Sequence, residues 1–123
     1  MIGADTSFII DFFKGETNAA AWMKKNYELL CLCENVVYEF LCGNLKESEK
    51  ESFLGFVSQF DVFAFDRNAV LKSSEIYRKT KKKGKQIAHP DAMIAGIYTA
   101  NGVKKIVTRN PKHFRNIISV ESY

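Results

Sequence analysis

Residues 28–33, Glu28-Leu-Leu-Cys-Leu-Cys33, are apolar without interruption after the first position. A strand with one solvated face alternates apolar and polar side chains; a strand covered on both faces does not. This run therefore asks for a sheet with helices on both sides. The rest of the chain supplies the pieces. Met1-Ile-Gly-Ala precedes Asp5 as a short apolar strand, Asp61-Val-Phe-Ala-Phe65 alternates weakly as a third strand, Lys104-Lys-Ile-Val-Thr108 is a fourth, and Ile117–Val120 can add a short edge strand. Helical patterns separate them, and short apolar strands alternating with helices, without internal repeats, specify a parallel sheet. The expected architecture is a single α/β domain over residues 1–123, with four to five parallel strands flanked by helices.

The helical segments read as follows. A short helix from the Thr6/Ser7 cap to Lys14 is closed by Gly15, and a second runs from Asn18 as cap to Tyr27. Glu34 to Gly43 forms a third, with Val36, Val37, Phe40 and Leu41 as its buried stripe and Gly43 as its C-terminal cap. Leu45 to Lys50 is expected to be a loop or a frayed turn. Phe53, Phe56, Val57 and Phe60 recur at helical spacing, a core stripe rather than a base-stacking platform. Ala69 to Lys83 grows more basic along its length, with Asp66 or Asn68 as cap. The last long helix starts at Pro90 and ends at Asn101-Gly102, carrying Asp91, Ile94, Ala95 and Tyr98 on one face.

Charge is distributed unevenly. The formal net charge is +4, yet residues 78–115 hold eleven cations against one acid, Asp91, for +10, leaving −6 on the remainder. Such a field steers a polyanion, and phosphate contacts supply most non-specific nucleic-acid affinity. Six cations crowd residues 78–85, including Lys81, Lys82, Lys83 and Lys85, where self-repulsion calls for a partner. No run reaches the roughly 20 apolar residues of a membrane span, and the opening segment lacks the basic flank of a secretory signal. The cytoplasm is the expected location. Cys31, Cys33 and Cys42 lack zinc-ligand spacing and read as three reduced, buried thiols.

Asp5 ends the first strand and precedes a helix, so it arrives where open α/β sheets keep their ligands. The commoner role of such an aspartate is an N-cap or a turn. Two further acids change the balance. Glu39 sits about one turn into the helix that leaves the second strand, and Asp91 lies in the first turn of a buried helix. A parallel sheet brings all three positions to one edge. Clustered carboxylates repel and raise one another's pKa values unless a cation lies among them. A hard divalent ion with oxygen ligands, Mg²⁺ or Mn²⁺, is the natural occupant, and beside a +10 surface it points to phosphodiester chemistry.

The blocks Asp5-Thr-Ser-Phe-Ile-Ile-Asp-Phe-Phe-Lys-Gly15, Val36-Val-Tyr-Glu39-Phe-Leu-Cys-Gly43, Asp91-Ala-Met-Ile-Ala-Gly and Val107-Thr-Arg-Asn-Pro-Lys-His-Phe114 resemble, in order and spacing, the PIN-domain ribonucleases, particularly the VapC-type toxins of toxin-antitoxin pairs. The resemblance implies a metal-dependent endoribonuclease. Asp5, Glu39 and Asp91 would hold Mg²⁺ or Mn²⁺, which activates water for in-line attack and leaves a 5′-phosphate and a 3′-hydroxyl. Thr6 and Thr108 match the family's hydroxyls near the metal. Asn110 falls where many members carry a fourth acid; an amide orients water or ligates weakly, which disfavours a second tightly held ion. Arg109, Lys112 and the cluster at residues 78–85 would hold the RNA backbone. A homodimer and a small antitoxin partner are expected on the same basis.

Two other readings start from the same residues. A phosphoryl-transfer protein using Asp5 as acceptor would want a second aspartate two residues on, where Ser7 stands, or an early acidic pair, which is missing. A basic RNA-binding module with a degenerate acid cluster fits the charge, and Asn110 keeps it open. So does a PIN-type RNA-processing nuclease without an antitoxin.

Overall fold

In the computed structural model, which describes residues 1–123, β1 (Ile2–Ala4) occupies the middle of the sheet. It pairs in parallel with β2 (Leu30–Cys33) on one side and β4 (Lys105–Val107) on the other. β3 (Val62–Phe63) extends the sheet beyond β2, and β5 (Ser119–Glu121) beyond β4. The order is β3-β2-β1-β4-β5, all parallel. From β1 the chain moves first to one side and later returns on the other. The carboxyl end of β1 therefore lies at a topological switch point, the usual ligand crevice of such sheets.

Parallel neighbours need crossovers, and helices supply them. α1 (Thr6–Phe13) and α2 (Thr17–Asn26), followed by a 3₁₀ turn at Tyr27–Leu29, connect β1 to β2. α3 (Glu34–Leu41) and α4 (Glu47–Val57) lead to β3; α5 (Arg67–Lys82) and α6 (His89–Ala100) lead to β4; α7 (Pro111–Phe114) precedes β5. Every residue of β1 and β2 is buried, as the unbroken apolar run of β2 required. No helix is long and apolar enough to cross a membrane.

Two glycines set how closely α6 packs. A Cβ at Gly3 would lie 2.6 Å from the Tyr98 ring, so only glycine lets α6 rest on β1. The buried Tyr98 hydroxyl then donates to the Ala4 carbonyl at 2.5 Å. A Cβ at Gly96 would lie 1.8 Å from Ser73 Oγ and 2.7 Å from Ser73 Cα, which fixes α6 against α5. The Phe53 side of the α4 stripe is fully buried and stacks on Phe40 at 4.0 Å, while Phe56 and Phe60 cover the margin of the core.

Several local expectations need correction. Asp5, rather than Thr6 or Ser7, occupies the N-cap position of α1. Glu16 caps α2 through bonds from the Asn18 and Ala19 amides, so Asn18 lies inside the helix. Of Leu45–Lys50, expected as a loop or a frayed turn, Glu47 onward is regular helix, since α4 begins there; Glu49 accepts the Lys46 amide at 2.9 Å and closes the first turn. Of the two expected caps of α5, Asp66 takes the position and accepts the Ala69 amide, as expected. Cys31 and Cys33 are buried, and burial pushes their thiols up to about 12 and about 11. Cys42 is exposed: at the end of α3 it has turned off the buried stripe.

Candidate active site

Asp5 leaves the carboxyl end of β1 with its carboxylate buried, at 5% exposure. A buried carboxylate needs partners, and two hydroxyls provide them. Ser7 Oγ donates to Asp5 Oδ2 at 2.8 Å, and Thr108 Oγ1 donates to the same oxygen at 2.7 Å. The backbone makes this possible: the Asp5 amide donates to the Val107 carbonyl at 3.0 Å, which brings the end of β4 and Thr108 alongside. Thr108 in turn accepts the Asn110 amide at 2.9 Å. Both bonds converge on Oδ2, leaving Oδ1 free for another partner.

Glu39 projects from the second turn of α3, and its Oε1 accepts a hydrogen bond from Thr6 Oγ1 in the first turn of α1. The two helices thus meet through a hydroxyl–carboxylate contact beside Asp5. Asp91 lies in the first turn of α6, and its Oδ2 is 3.2 Å from His113 Nδ1 on α7. Burial holds the Asp91 carboxyl above the ordinary range; the facing His113 works against the rise, and the charges of Asp5 and Glu39 add to it. The three acids therefore share one electrostatic field. They do not converge on one point: no three His, Cys, Asp or Glu side chains form a ready-made metal cage.

Beside Asp91 opens a cavity of about 1200 Å³ between the C-terminal half of α5, the segment 84–88 and α7. Lys79, Lys83, Lys85, Lys112 and Arg115 line it, with Asp91 and His113 among the lining residues. Asp5 and Glu39 do not line it, and neither do Lys81 and Lys82, which lie on other faces of the same basic helix. Arg109 also points elsewhere: its Nη1 pairs with Asp11 Oδ1 at 2.6 Å. A lone acid among phenylalanines and isoleucines would most simply face solvent; Asp11 does not. It is 8% exposed, and it also accepts the Tyr123 hydroxyl at 2.5 Å.

Of the residues singled out from sequence, Asp5, Thr6, Glu39, Asp91 and Thr108 gather at one sheet edge, with Asn110 joined to Thr108 through its amide. Sequence reasoning did not assign Ser7 to Asp5 or His113 to Asp91. Ser7 reads from sequence as a helix cap, or as the residue standing where a second aspartate would be wanted, although Asp-x-Ser at a strand-to-helix junction is a usable signal for a short hydroxyl–carboxylate bond. His113 pairs over a separation that no local spacing encodes.

A family model for the PIN domain matches residues 3–118. The chain belongs to the PIN-domain family. Ribonuclease VapC3 of Methanocaldococcus jannaschii is 30% identical to this PIN protein over 95 residues, spanning 76% of this chain and 94% of its own. The tRNA(fMet)-specific endonuclease VapC of Shigella flexneri is 28% identical over 121 residues, 92% of this chain and 89% of its own. Among solved structures, DNA-bound VapBC from Salmonella typhimurium superposes with a TM-score of 0.81 at 25% identity, covering 99% of this chain and 98% of that one. The PIN fold and the VapC type expected from the sequence are both borne out.

Proposed function

We propose that this PIN protein is a metal-dependent endoribonuclease, the toxin of a toxin-antitoxin pair, with Asp5, Glu39 and Asp91 as its reactive acids. The observation that carries the reading is geometric: at the carboxyl end of β1 two hydroxyls hold one oxygen of the buried Asp5 and leave the other free, with Glu39 joined to α1 beside it. Three carboxylates beside hydroxyls offer oxygen donors, which fits Mg²⁺ or Mn²⁺ rather than a softer ion; the nitrogen nearby, His113 Nδ1, is turned to Asp91 Oδ2. Such an ion, held by Asp5, Glu39 and Asp91, would supply a polarised water and charge stabilisation at the scissile phosphate. Asn110, through its side-chain amide, would orient water rather than add charge.

The protein's own groups do the positioning. Ser7 and Thr108 fix one oxygen of Asp5 and so aim the other, and Thr6 does the same for Glu39. Lys83, Lys85 and Lys112 on the cavity wall would hold the RNA backbone, a contact that gives affinity without sequence choice. Lys81 and Lys82 would contribute only to the long-range field, and Arg109 is engaged by Asp11. The names of the relatives, ribonuclease and tRNA-specific endonuclease, support the reaction class. The VapBC neighbour supports a toxin with an antitoxin partner. Phe13, Tyr38 and Leu54, exposed on α1, α3 and α4, would offer apolar surface to an antitoxin segment, and a homodimer is part of the same proposal.

The decisive experiment compares Asp5→Asn and Asp91→Asn with wild type in Mn²⁺-supported RNA cleavage and in RNA binding. Each variant should lose at least about 10²-fold in kcat while still binding RNA. Wild-type cleavage by both would overturn the site. RNA binding by a wild type that does not cleave would instead favour a binding module.

A further inference from the structure

Both oxygens of Asp11 are occupied. Oδ1 takes the Arg109 guanidinium at 2.6 Å and Oδ2 the Tyr123 hydroxyl at 2.5 Å, while the Tyr123 ring packs edge-on against Phe8 with centroids 5.0 Å apart. An exposed ion pair contributes little, but here the carboxylate is buried, and removing a partner leaves it uncompensated. Arg109 is also held by its backbone: its amide donates to Ser7 Oγ at 3.1 Å. Ser7 and Asp11 are four residues apart, one turn of α1. Arg109 is thus fastened to α1 at two points, and the flanking residues are drawn in with it, Thr108 onto Asp5 and Asn110 onto Thr108.

We propose that Asp11, with Tyr123, is a positioning residue for the active site: by anchoring Arg109 it holds the segment 108–110 against α1 and keeps the Thr108 hydroxyl on Asp5. The functional part rests on Asp5 being a reactive acid, as proposed above; the structural part does not. Asp11 acts through Arg109 and touches no reacting group. Its loss should therefore lower turnover rather than substrate affinity, and it should matter no further once Arg109 is gone.

The test uses the full chain with Asp11→Asn, which keeps shape and removes charge, Arg109→Ala, the double variant, and Tyr123→Phe, which deletes a single hydroxyl. In Asp11→Asn the Arg109 and Asn110 amides should exchange with solvent about tenfold faster while α1 amides keep their protection. The kcat for RNA should fall about tenfold with KM within about twofold, and the double variant should be no slower than the worse single one. Tyr123→Phe should show a smaller acceleration at the same two amides. Unchanged exchange at Arg109 and Asn110, additive losses in the double variant, or a loss carried by KM would each overturn the proposal. If the wild type cleaves no RNA, the ribonuclease reading fails, and amide exchange still decides whether Asp11 anchors the segment.

Discussion

Asp91, a reactive acid in the function proposed above, also carries a stability penalty. Its folded pKa is raised, so its contribution to stability is fully present below the ordinary aspartate range and is lost as pH rises through the raised value. At neutral pH its charge opposes folding, and Asp91→Asn should raise Tm while abolishing cleavage; a lowered Tm would show the charge to be satisfied. The same direction governs titration of the carboxyl itself: in the metal-free protein its midpoint, followed by NMR, should lie above that of an unperturbed aspartate, and Mg²⁺ should bring it down. His113 opposes the rise, and His113→Gln should move the metal-free midpoint to still higher pH. An unmoved midpoint would mean that His113 does not govern Asp91. At this scale the three acids were legible because each stands at a strand-to-helix junction. Their partners were not: Ser7 was masked by its competence as a cap, Asp11 by its polarity, and His113 and Tyr123 by chain separation.

The helices were legible wherever an apolar stripe recurs at helical spacing, as in α3, α4 and α6. Their beginnings were less so, because a cap is chosen by geometry among several capable residues: Glu16 won over Asn18, and Glu49 turned an expected loop into the first turn of α4. The contact between α5 and α6 has a sharper requirement. Gly96→Ala would add about 1 kcal/mol of helix propensity, yet its Cβ would meet the Ser73 backbone as well as its hydroxyl. Overpacking of this kind costs about 1–3 kcal/mol, so the urea midpoint should fall. A raised midpoint would show that α5 yields without loss. Because α6 carries Asp91 in its first turn, any shift that relieves the clash also moves the site.

At the scale of the molecule, the +10 segment was visible as charge, but its division into two faces was not, since that depends on how α5 rolls against α6. Replacing Lys83, Lys85 and Lys112 by Ala should raise KM for RNA and flatten the salt dependence of binding by about 0.7 per cation lost, about 2 for all three. Lys81→Ala with Lys82→Ala should change the slope less, because they stand off the cavity wall. Equal effects from both sets would place the RNA elsewhere. The sheet itself was legible as parallel, since unbroken apolar strands leave no polar face, and its central β1 carries a further consequence. Asp5 and the Thr108 hydroxyl that orients it are 103 residues apart. At about 5–20 residues per second of synthesis, they are made roughly 5–20 s apart. With no hairpin in the sheet to mature early, a nascent chain has its first acid long before it has the strand and hydroxyl that aim it. A polypeptide that would cut RNA inside the cell making it therefore cannot assemble the cutting site until β4 and Thr108 have followed.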